Sequence, residues 1–201
     1  LMEKYNIAIN KIKLYLELMR VDRPIGFYLL MWPVLWAFLI ATDGQPTIIY
    51  MIIFAIGIIA TRSAGCIIND YFDQDIDKKV ERTKNRVLAS EKVSNKEAIS
   101  IFTILMLICL SLLLMLGLEI LIFAILSFFL LIIYPLMKRY FKMPQLILGL
   151  AFGSSIPMVF IIETGEMDIN CFLLYFLTVI WAIVYDTYYA MADKKDDNKI
   201  G

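Results

Sequence analysis

Six long apolar runs constrain the fold of this chain more than any other feature of its sequence. Each is close to the length that an α-helix needs to cross the hydrocarbon core of a bilayer, about 20 residues. The runs lie near residues 24–41, 47–68, 98–117, 120–137, 145–162 and 169–185. Hydrophobic residues make up 61% of the chain, whereas a soluble domain has about 45–50%. The sequence therefore predicts an all-α, multi-span transmembrane helix bundle with about six spans. Pro33 and Pro157 lie inside two of the runs and are expected to kink them.

The charged residues between the runs predict how the bundle is oriented. Apart from Arg62, every basic residue lies in the N-terminal arm, after the second or fourth run, or in the C-terminal tail. The turns after the first, third and fifth runs carry acidic residues and no Lys or Arg. Because cytoplasmic loops are enriched in Lys and Arg, this pattern predicts a cytoplasmic N-terminus. Residues 4–20 combine apolar and charged side chains and predict an amphipathic helix in the membrane interface.

Composition excludes several classes of site. The chain has no histidine, which rules out histidine acid–base catalysis and histidine-ligated zinc. Cys66, Cys109 and Cys171 are far apart within apolar runs, as expected of buried packing residues rather than a disulfide framework or a CxxC metal site. The formal net charge is +0, so bulk charge indicates no nucleic-acid partner. No sequence feature points to a protein partner.

Two acidic clusters each follow an apolar run, and both lie on the predicted cytoplasmic side. Their members at four- or seven-residue spacing are Asn69, Asp73 and Asp77 in the first cluster and Asp186, Asp193 and Asp197 in the second. On a continued helix, residues at this spacing share one face. Carboxylates this dense repel one another unless a cation binds between them. Mg²⁺ prefers oxygen ligands and is commonly shared with phosphates, so the clusters predict a Mg²⁺ site for a phosphorylated substrate.

Three other interpretations of the clusters are open at this point. An EF-hand loop starting at Asp73 needs Gly at its sixth position and Glu at its twelfth, where the chain has Lys78 and Lys84. An ordinary hydrophilic loop explains one cluster more readily than two with matching spacing. A cation pathway in a transporter usually lies near the bilayer midplane, whereas these clusters follow the ends of spans. The basic stretch 78–86 is either a solvated linker or a cationic lid that binds phosphate oxygens.

The motifs resemble the two aspartate motifs of the UbiA-type intramembrane prenyltransferases, in particular the 4-hydroxybenzoate polyprenyltransferase branch of ubiquinone biosynthesis. The strings that carry the resemblance are Asn69-Asp70-x-x-Asp73-x-x-x-Asp77, Tyr185-Asp186-Thr187-x-Tyr189-Ala190-x-x-Asp193-x-x-x-Asp197, Arg23-Pro24-Ile25-Gly26, Arg62-Ser63-Ala64-Gly65-Cys66, Arg82-Thr83-Lys84-Asn85-Arg86, and Tyr134-Pro135 with Lys138-Arg139. They extend over nearly the whole chain. Within the motifs, Asp70, Tyr185, Asp186 and Tyr189 are expected to support the metal ligands.

The family has about nine transmembrane helices, whereas this chain has six runs. We therefore expect one transmembrane prenyltransferase domain over 1–201, truncated at its C-terminus. Residues 70–96 are expected to form a cytoplasmic loop with the first motif, and residues 186–201 to hold the second. Val87 and Glu91 stand where the family usually has Pro and Gly.

The function that the resemblance implies is transfer of a polyprenyl group from its diphosphate to the ring of 4-hydroxybenzoate. The site would face the cytoplasm from the bacterial inner membrane. The residues expected to bind Mg²⁺ and act in catalysis are Asp73, Asp77, Asp193 and Asp197, with Asn69 as a further metal ligand, and those expected to contact the diphosphate are Arg86, Lys138 and Lys194. The alternatives are another acceptor (a naphthoate, homogentisate or haem) or a non-catalytic, divalent-cation-binding transporter.

An aromatic acid also needs a cationic partner for its carboxylate. Arg62 is the one basic residue inside an apolar run, and because an unpaired intramembrane Arg is costly, it is the first candidate. A structural ion pair between Arg62 and Asp70 or another motif carboxylate is the alternative. Arg23 and Arg139 are further candidates. The tyrosines of the two motifs are candidates for stabilising a carbocation, or else form an aromatic belt at the interface.

Overall fold

A computed structural model describes residues 2–141 and 143–197, and all regular structure in these ranges is helical. The helices are α1 (Met2–Leu18), α2 (Ile25–Ala41), α3 (Ile48–Asp77), α4 (Asn95–Leu116), a 3₁₀ turn (Leu118–Ile120), α5 (Leu121–Tyr140), α6 (Pro144–Gly153), α7 (Ser155–Thr164) and α8 (Ile169–Asp197). The predicted all-α architecture is thereby confirmed. The N-terminal amphipathic segment predicted over 4–20 corresponds to α1.

Five of the six predicted spans form helical segments long and apolar enough to cross a membrane. These are α3, α4, α5 with the preceding 3₁₀ turn, α6 together with α7, and α8. The first predicted span forms α2, which has 17 residues and is shorter than the others. The described part of the chain is therefore a multi-span membrane bundle.

The two interior prolines have different effects on their helices. Pro33 lies within α2, which continues through it. The span around Pro157 is divided at Ser154 into α6 and α7, one turn before the proline, whose missing N–H leaves the Gly153 carbonyl without its i+4 donor. Pro157 is the third residue of α7, and proline is tolerated in the first turn because the backbone N–H groups there have no intrahelical acceptor.

Helix α3 positions the first acidic cluster. It has 30 residues, which at 1.5 Å per residue gives a length of about 45 Å, longer than the hydrocarbon core of about 30 Å. Its last two turns carry the stretch from Asp70 to Asp77, so the first cluster is helical and the irregular segment runs from 78 to 94. The next helix starts at a capping box, in which Ser94 and Glu97 bond each other's backbone N–H groups.

Two apolar clusters hold the bundle together. One is formed by α2, α3, α7 and α8 and includes an edge-to-face contact between Phe38 and Phe54, with ring centroids 5.3 Å apart. The other is formed by Leu18 of α1, Ile67 of α3 and the residues Val87 and Leu88 of the 78–94 segment. The second cluster fixes α1 and the 78–94 segment against the end of α3 that carries the acidic residues.

Candidate functional site

The first acidic cluster presents two faces at the end of α3. Asn69 and Asp73 are one turn apart and partly exposed, and both make interactions. Asp70 and Asp77 are buried, with 2% and 6% of their surface exposed. Asp75 is exposed. The cluster therefore divides into a partly exposed pair, Asn69 and Asp73, and two buried carboxylates, Asp70 and Asp77.

Two arginines neutralise the buried carboxylates. Arg20 donates from Nη2 to both carboxylate oxygens of Asp70, at 2.8 and 3.0 Å. Arg86 donates from Nη1 to Oδ1 of Asp70 at 3.2 Å and to Oδ2 of Asp77 at 2.7 Å. Asp70 is thus held by Arg20 and Arg86. The sequence suggests an ion pair between Arg62 and Asp70 as an alternative, and Arg62 is not the residue that holds Asp70. Burial disfavours the charged form of Arg20, but Asp70 outweighs it and raises the pKa of the guanidinium.

This pairing bears on two predicted roles. Asp77 is expected to bind Mg²⁺ and Arg86 to bind the diphosphate, yet in this structure the two side chains bind each other. The contact joins Nη1 of Arg86 to Oδ2 of Asp77. The side chains are largely shielded, with 22% of Arg86 and 8% of Asp77 exposed. Both roles stay predictions.

Tyr134 of α5 marks the place where the two motifs approach each other. Its hydroxyl lies within electrostatic range of Asp186 on α8, Arg62 on α3 and Asp73 on α3. Tyr185 of α8 likewise interacts with Arg62 and Asp186. A residue of the first motif and a residue of the second thus interact electrostatically with one tyrosine, as does the intramembrane arginine.

Arg62 reaches this place because α2 has a glycine beside it. A Cβ atom added to Gly26 would lie 2.5 Å from Nε and 2.8 Å from Nη2 of Arg62. Any larger residue at this position would therefore displace the guanidinium. The notch at Gly26 lets the Arg62 side chain lie between α2, α5 and α8.

A row of aromatic side chains runs along α8 toward the same place. Phe152 contacts Trp181, Trp181 stacks on Tyr185 at 5.8 Å between centroids, and Tyr185 contacts Tyr189 at 4.9 Å. The α8 members are four residues apart and so lie on one face. Such a row offers apolar and π surface beside Asp186 and Arg62.

The other predicted residues are less informative. Arg23 is exposed, and its Nε lies 3.4 Å from Oδ2 of Asp22. The predicted residues whose side chains fall outside the described part are Lys138, Arg139, Asp193, Lys194 and Asp197. The backbone of α8 continues to Asp197, so the second motif is helical, like the first.

The donor atoms of the two motifs are of the type that Mg²⁺ selects. Asn69, Asp73 and Asp186 supply oxygen ligands, and Mg²⁺ is often bound by one or two carboxylates together with substrate phosphates. Among the described residues, no three acidic, Cys or His side chains come close enough to hold a metal by themselves.

Sequence reasoning did not identify Arg20 and gave Tyr134 and Gly26 no role beyond their motif strings. Arg20 lies 50 residues from its partner Asp70, and no spacing rule connects them. One local signal pointed to Arg20. The amphipathic stretch ends at this residue, where a helix commonly ends with a glycine. The packing of Gly26 against Arg62 depends on the tertiary fold.

Comparison with known proteins places this geometry among prenyltransferases. The sequence profile described as the UbiA prenyltransferase family matches residues 30–201. The 4-hydroxybenzoate octaprenyltransferase of a Marinomonas species is 48% identical over 193 residues, which cover 96% of this chain and 68% of that protein. The enzyme of the same name from Photobacterium profundum is 42% identical over 195 residues, which cover 97% of this chain and 68% of that protein.

Solved structures share the fold. A UbiA homolog from Archaeoglobus fulgidus, bound to GPP and Mg²⁺, superposes with a TM-score of 0.77 at 17% identity. The match covers 94% of this chain and 66% of that one. The chain thus spans about two thirds of the length of these relatives.

Proposed function

The chain belongs to the UbiA prenyltransferase family, and on that premise we propose that it transfers a polyprenyl group from polyprenyl diphosphate to 4-hydroxybenzoate. The reaction serves ubiquinone biosynthesis and takes place in a bacterial inner membrane, with the site facing the cytoplasm. The relatives named 4-hydroxybenzoate octaprenyltransferase support this acceptor and an octaprenyl donor. The enzyme is proposed to require Mg²⁺, as the ligands of the Archaeoglobus homolog suggest.

One observation supports the proposal more than any other. Asp73 of the first motif, Asp186 of the second and Arg62 all lie within electrostatic range of the Tyr134 hydroxyl. Two anionic groups and one cation at the end of an apolar bundle suit a reaction that joins a metal-bound diphosphate to an aromatic acid. The apolar helices around them suit the isoprenoid tail.

The acidic residues are proposed to bind the diphosphate head group together with Mg²⁺. Asn69, Asp73 and Asp186 offer oxygen ligands here, and Asp193 and Asp197 are proposed to complete the set. The ion, when bound, supplies Lewis-acid stabilisation of the departing diphosphate. The allylic C–O bond breaks, and its electron pair leaves with the diphosphate. The aromatic row on α8 and the surrounding apolar helices shield the resulting allylic cation from water.

Arg62 is proposed to bind the carboxylate of the aromatic acid. A guanidinium can hold a carboxylate through two parallel hydrogen bonds, which fixes the direction of the ring. The ring carbon next to the phenolic hydroxyl then attacks the allylic carbon, and a C–C bond forms. The proton on that ring carbon leaves to a carboxylate of the site, for which Asp73 and Asp186 are candidates.

The test is transfer by the purified chain in liposomes, with octaprenyl diphosphate, 4-hydroxybenzoate and MgCl₂. We expect octaprenylated 4-hydroxybenzoate and diphosphate in equal amounts, and neither product when MgCl₂ is replaced by EDTA. Product with homogentisate or a naphthoate but not with 4-hydroxybenzoate would overturn the acceptor. Cation flux across the liposome membrane without consumption of the prenyl donor would favour a transporter.

Replacing Arg62 should separate the two substrates. We expect Arg62→Met to raise KM for 4-hydroxybenzoate about 100-fold, because a buried charged hydrogen bond is lost, and to leave KM for the diphosphate nearly unchanged. The neutral methyl ester of 4-hydroxybenzoate should bind weakly to both proteins and distinguish them little. An equal increase in both KM values would contradict a carboxylate-binding role.

Gly26→Ala should have a weaker effect of the same kind, since its Cβ displaces the Arg62 guanidinium while the flexible side chain can move without unfolding the protein. Gly65→Ala is the matched control, because its Cβ would lie 3.7 Å from Leu131, an ordinary contact. We expect KM for 4-hydroxybenzoate to increase about tenfold in Gly26→Ala and to stay unchanged in Gly65→Ala. Kinetics with both substrates measure the difference.

A further inference from the structure

We propose that Arg20, which lies outside both aspartate motifs, is a positioning residue. Together with Asp70 it holds Arg86 beside the acidic end of α3. This inference rests on the proposed function where it concerns the diphosphate. It assigns Asp70 to the protein's own structure rather than to the metal.

The contacts form a continuous chain across three segments. Arg20 follows α1 and binds both oxygens of Asp70, at 2.8 and 3.0 Å. Arg86 in the 78–94 segment binds Oδ1 of Asp70 and Oδ2 of Asp77, at 3.2 and 2.7 Å. We call these four residues, Arg20, Asp70, Arg86 and Asp77, the clasp. The clasp ties the end of α1 and the 78–94 segment to the last two turns of α3.

The clasp is shielded from solvent. Only 3% of the Asp70 side chain is exposed, and the two arginines are 25% and 22% exposed. Breaking one partner of a shielded pair leaves a charge without compensation, which is far more costly than losing a surface pair. Removing Arg20 therefore leaves Asp70 with Arg86 as its remaining cation in the clasp.

The backbone at Arg20 is also unusual. Its φ is +58°, in the left-handed region that favours glycine. The N–H of Arg20 bonds the carbonyl of Glu17, and the N–H of Val21 bonds the carbonyl of Leu16. These two bonds form a Schellman motif, whose left-handed position is usually Gly. An arginine that bears this backbone cost is best explained by what its side chain binds.

Further contacts show what the clasp positions. Gln74 of α3 donates to the carbonyl of Leu88 at 3.0 Å, and Thr83 donates to the carbonyl of Asp77 at 3.2 Å. The 78–94 segment is thereby held along the same end of α3 that carries Asp73. The guanidinium of Arg86 is placed next to the predicted diphosphate position, with Asp70 as its second anchor when Asp77 turns to another partner.

The test compares two substitutions of residues with a left-handed backbone. Arg20→Gly relieves the backbone at position 20 and removes the Arg20 contacts of the clasp. Glu91→Gly likewise relieves the backbone at a left-handed residue, whose φ is +58°. It leaves the clasp intact and removes only the exposed Lys78–Glu91 pair in the same segment. Both variants are digested with trypsin in detergent micelles, and cleavage within 78–94 is followed by mass spectrometry. KM for octaprenyl diphosphate and for 4-hydroxybenzoate is then measured.

We expect Arg20→Gly to be cleaved within 78–94 at least about tenfold faster than the wild type, because cleavage follows local opening. Its KM for octaprenyl diphosphate should increase about tenfold while KM for 4-hydroxybenzoate stays nearly constant. Glu91→Gly should match the wild type in both respects. Equal cleavage of Arg20→Gly and Glu91→Gly, or an equal increase in both KM values of Arg20→Gly, would overturn the positioning role.

A second variant, Arg20→Lys, tests the proposal if Arg20→Gly does not fold. Arg20→Lys keeps the charge and the backbone cost but lacks the planar guanidinium that places Nη2 at both Asp70 oxygens. We expect intermediate cleavage and an intermediate KM for the diphosphate; wild-type behaviour in both would overturn the proposal. If the wild type transfers no prenyl group, the proposed function fails, whereas the cleavage comparison still tests the clasp.

Discussion

Asp73→Ala should reduce prenyl transfer by on the order of 10³-fold or more while the protein stays folded. The carboxylate of Asp73 is partly exposed at the end of α3 and faces Tyr134 with Asp186 and Arg62. Losing a ligand that helps neutralise the departing diphosphate removes several kcal/mol of transition-state stabilisation, and about 4 kcal/mol corresponds to this factor. Initial rates of octaprenylated product measure the change, and tryptophan fluorescence on heating checks the fold.

Asp75→Ala is the matched control for this prediction. Asp75 belongs to the same acidic cluster and has the same charge, but it is exposed and lies off the face shared by Asn69 and Asp73. We expect its rate to stay close to that of the wild type. Similar losses in Asp73→Ala and Asp75→Ala would show that the cluster acts through its overall charge, and an unchanged rate in Asp73→Ala would refute its catalytic role.

Gly149→Val should lower the free energy of unfolding by about 3 kcal/mol, the largest stability effect that we expect from a single residue. Gly149 and Gly153 lie one turn apart on α6 and allow it to approach α8 closely. A Cβ at Gly149 would lie 2.9 Å from the backbone carbonyl oxygen of Val179, which cannot move aside as a side chain can. Close approach through small residues is a main source of helix association in membranes.

A glycine with free space beside it provides the control for Gly149. Gly57 of α3 has Leu112 as its nearest neighbour, at 3.9 Å from an added Cβ. We expect Gly57→Ala to leave stability unchanged or to raise it slightly, because Ala is the better helix former, and Gly149→Ala to lower it. Unfolding in mixed micelles measures both. Equal stability of Gly57→Ala and Gly149→Ala would contradict close packing between α6 and α8.

The sequence predicts the membrane bundle well because the apolar runs and their lengths reflect the bilayer directly. The helical continuation of both acidic clusters agrees with their four-residue spacing, whereas the loop expected from residue 70 starts only at residue 78, because α3 extends to Asp77. The break at Ser154 agrees with the position of Pro157, which removes the hydrogen bond to the carbonyl of Gly153, whereas Pro33 leaves α2 unbroken. At Glu91 the sequence comparison marks a position where the family usually has Gly, and the structure supplies the reason, because the φ of Glu91 is positive.

Which carboxylate of the first cluster is buried against arginines depends on tertiary structure. Asp70 and Asp73 have the same side chain and lie three residues apart, yet Asp70 is buried against two arginines and Asp73 is partly exposed. This difference arises from α1 and the 78–94 segment packing on one face of α3. No local pattern in the sequence records which face that is.

The central claim is that both aspartate motifs bind one metal–diphosphate group. It is tested most directly by the binding of farnesyl thiodiphosphate, a poorly reactive donor analogue, with saturating MgCl₂. Dissociation constants are measured for the wild type, Asp73→Asn, Asp193→Asn and the double variant. We expect each single substitution to weaken binding about 100-fold and the double variant to bind little more weakly than either, because residues that act as a unit are not additive. Wild-type affinity in either single variant, or losses that multiply in the double variant, would contradict a shared site.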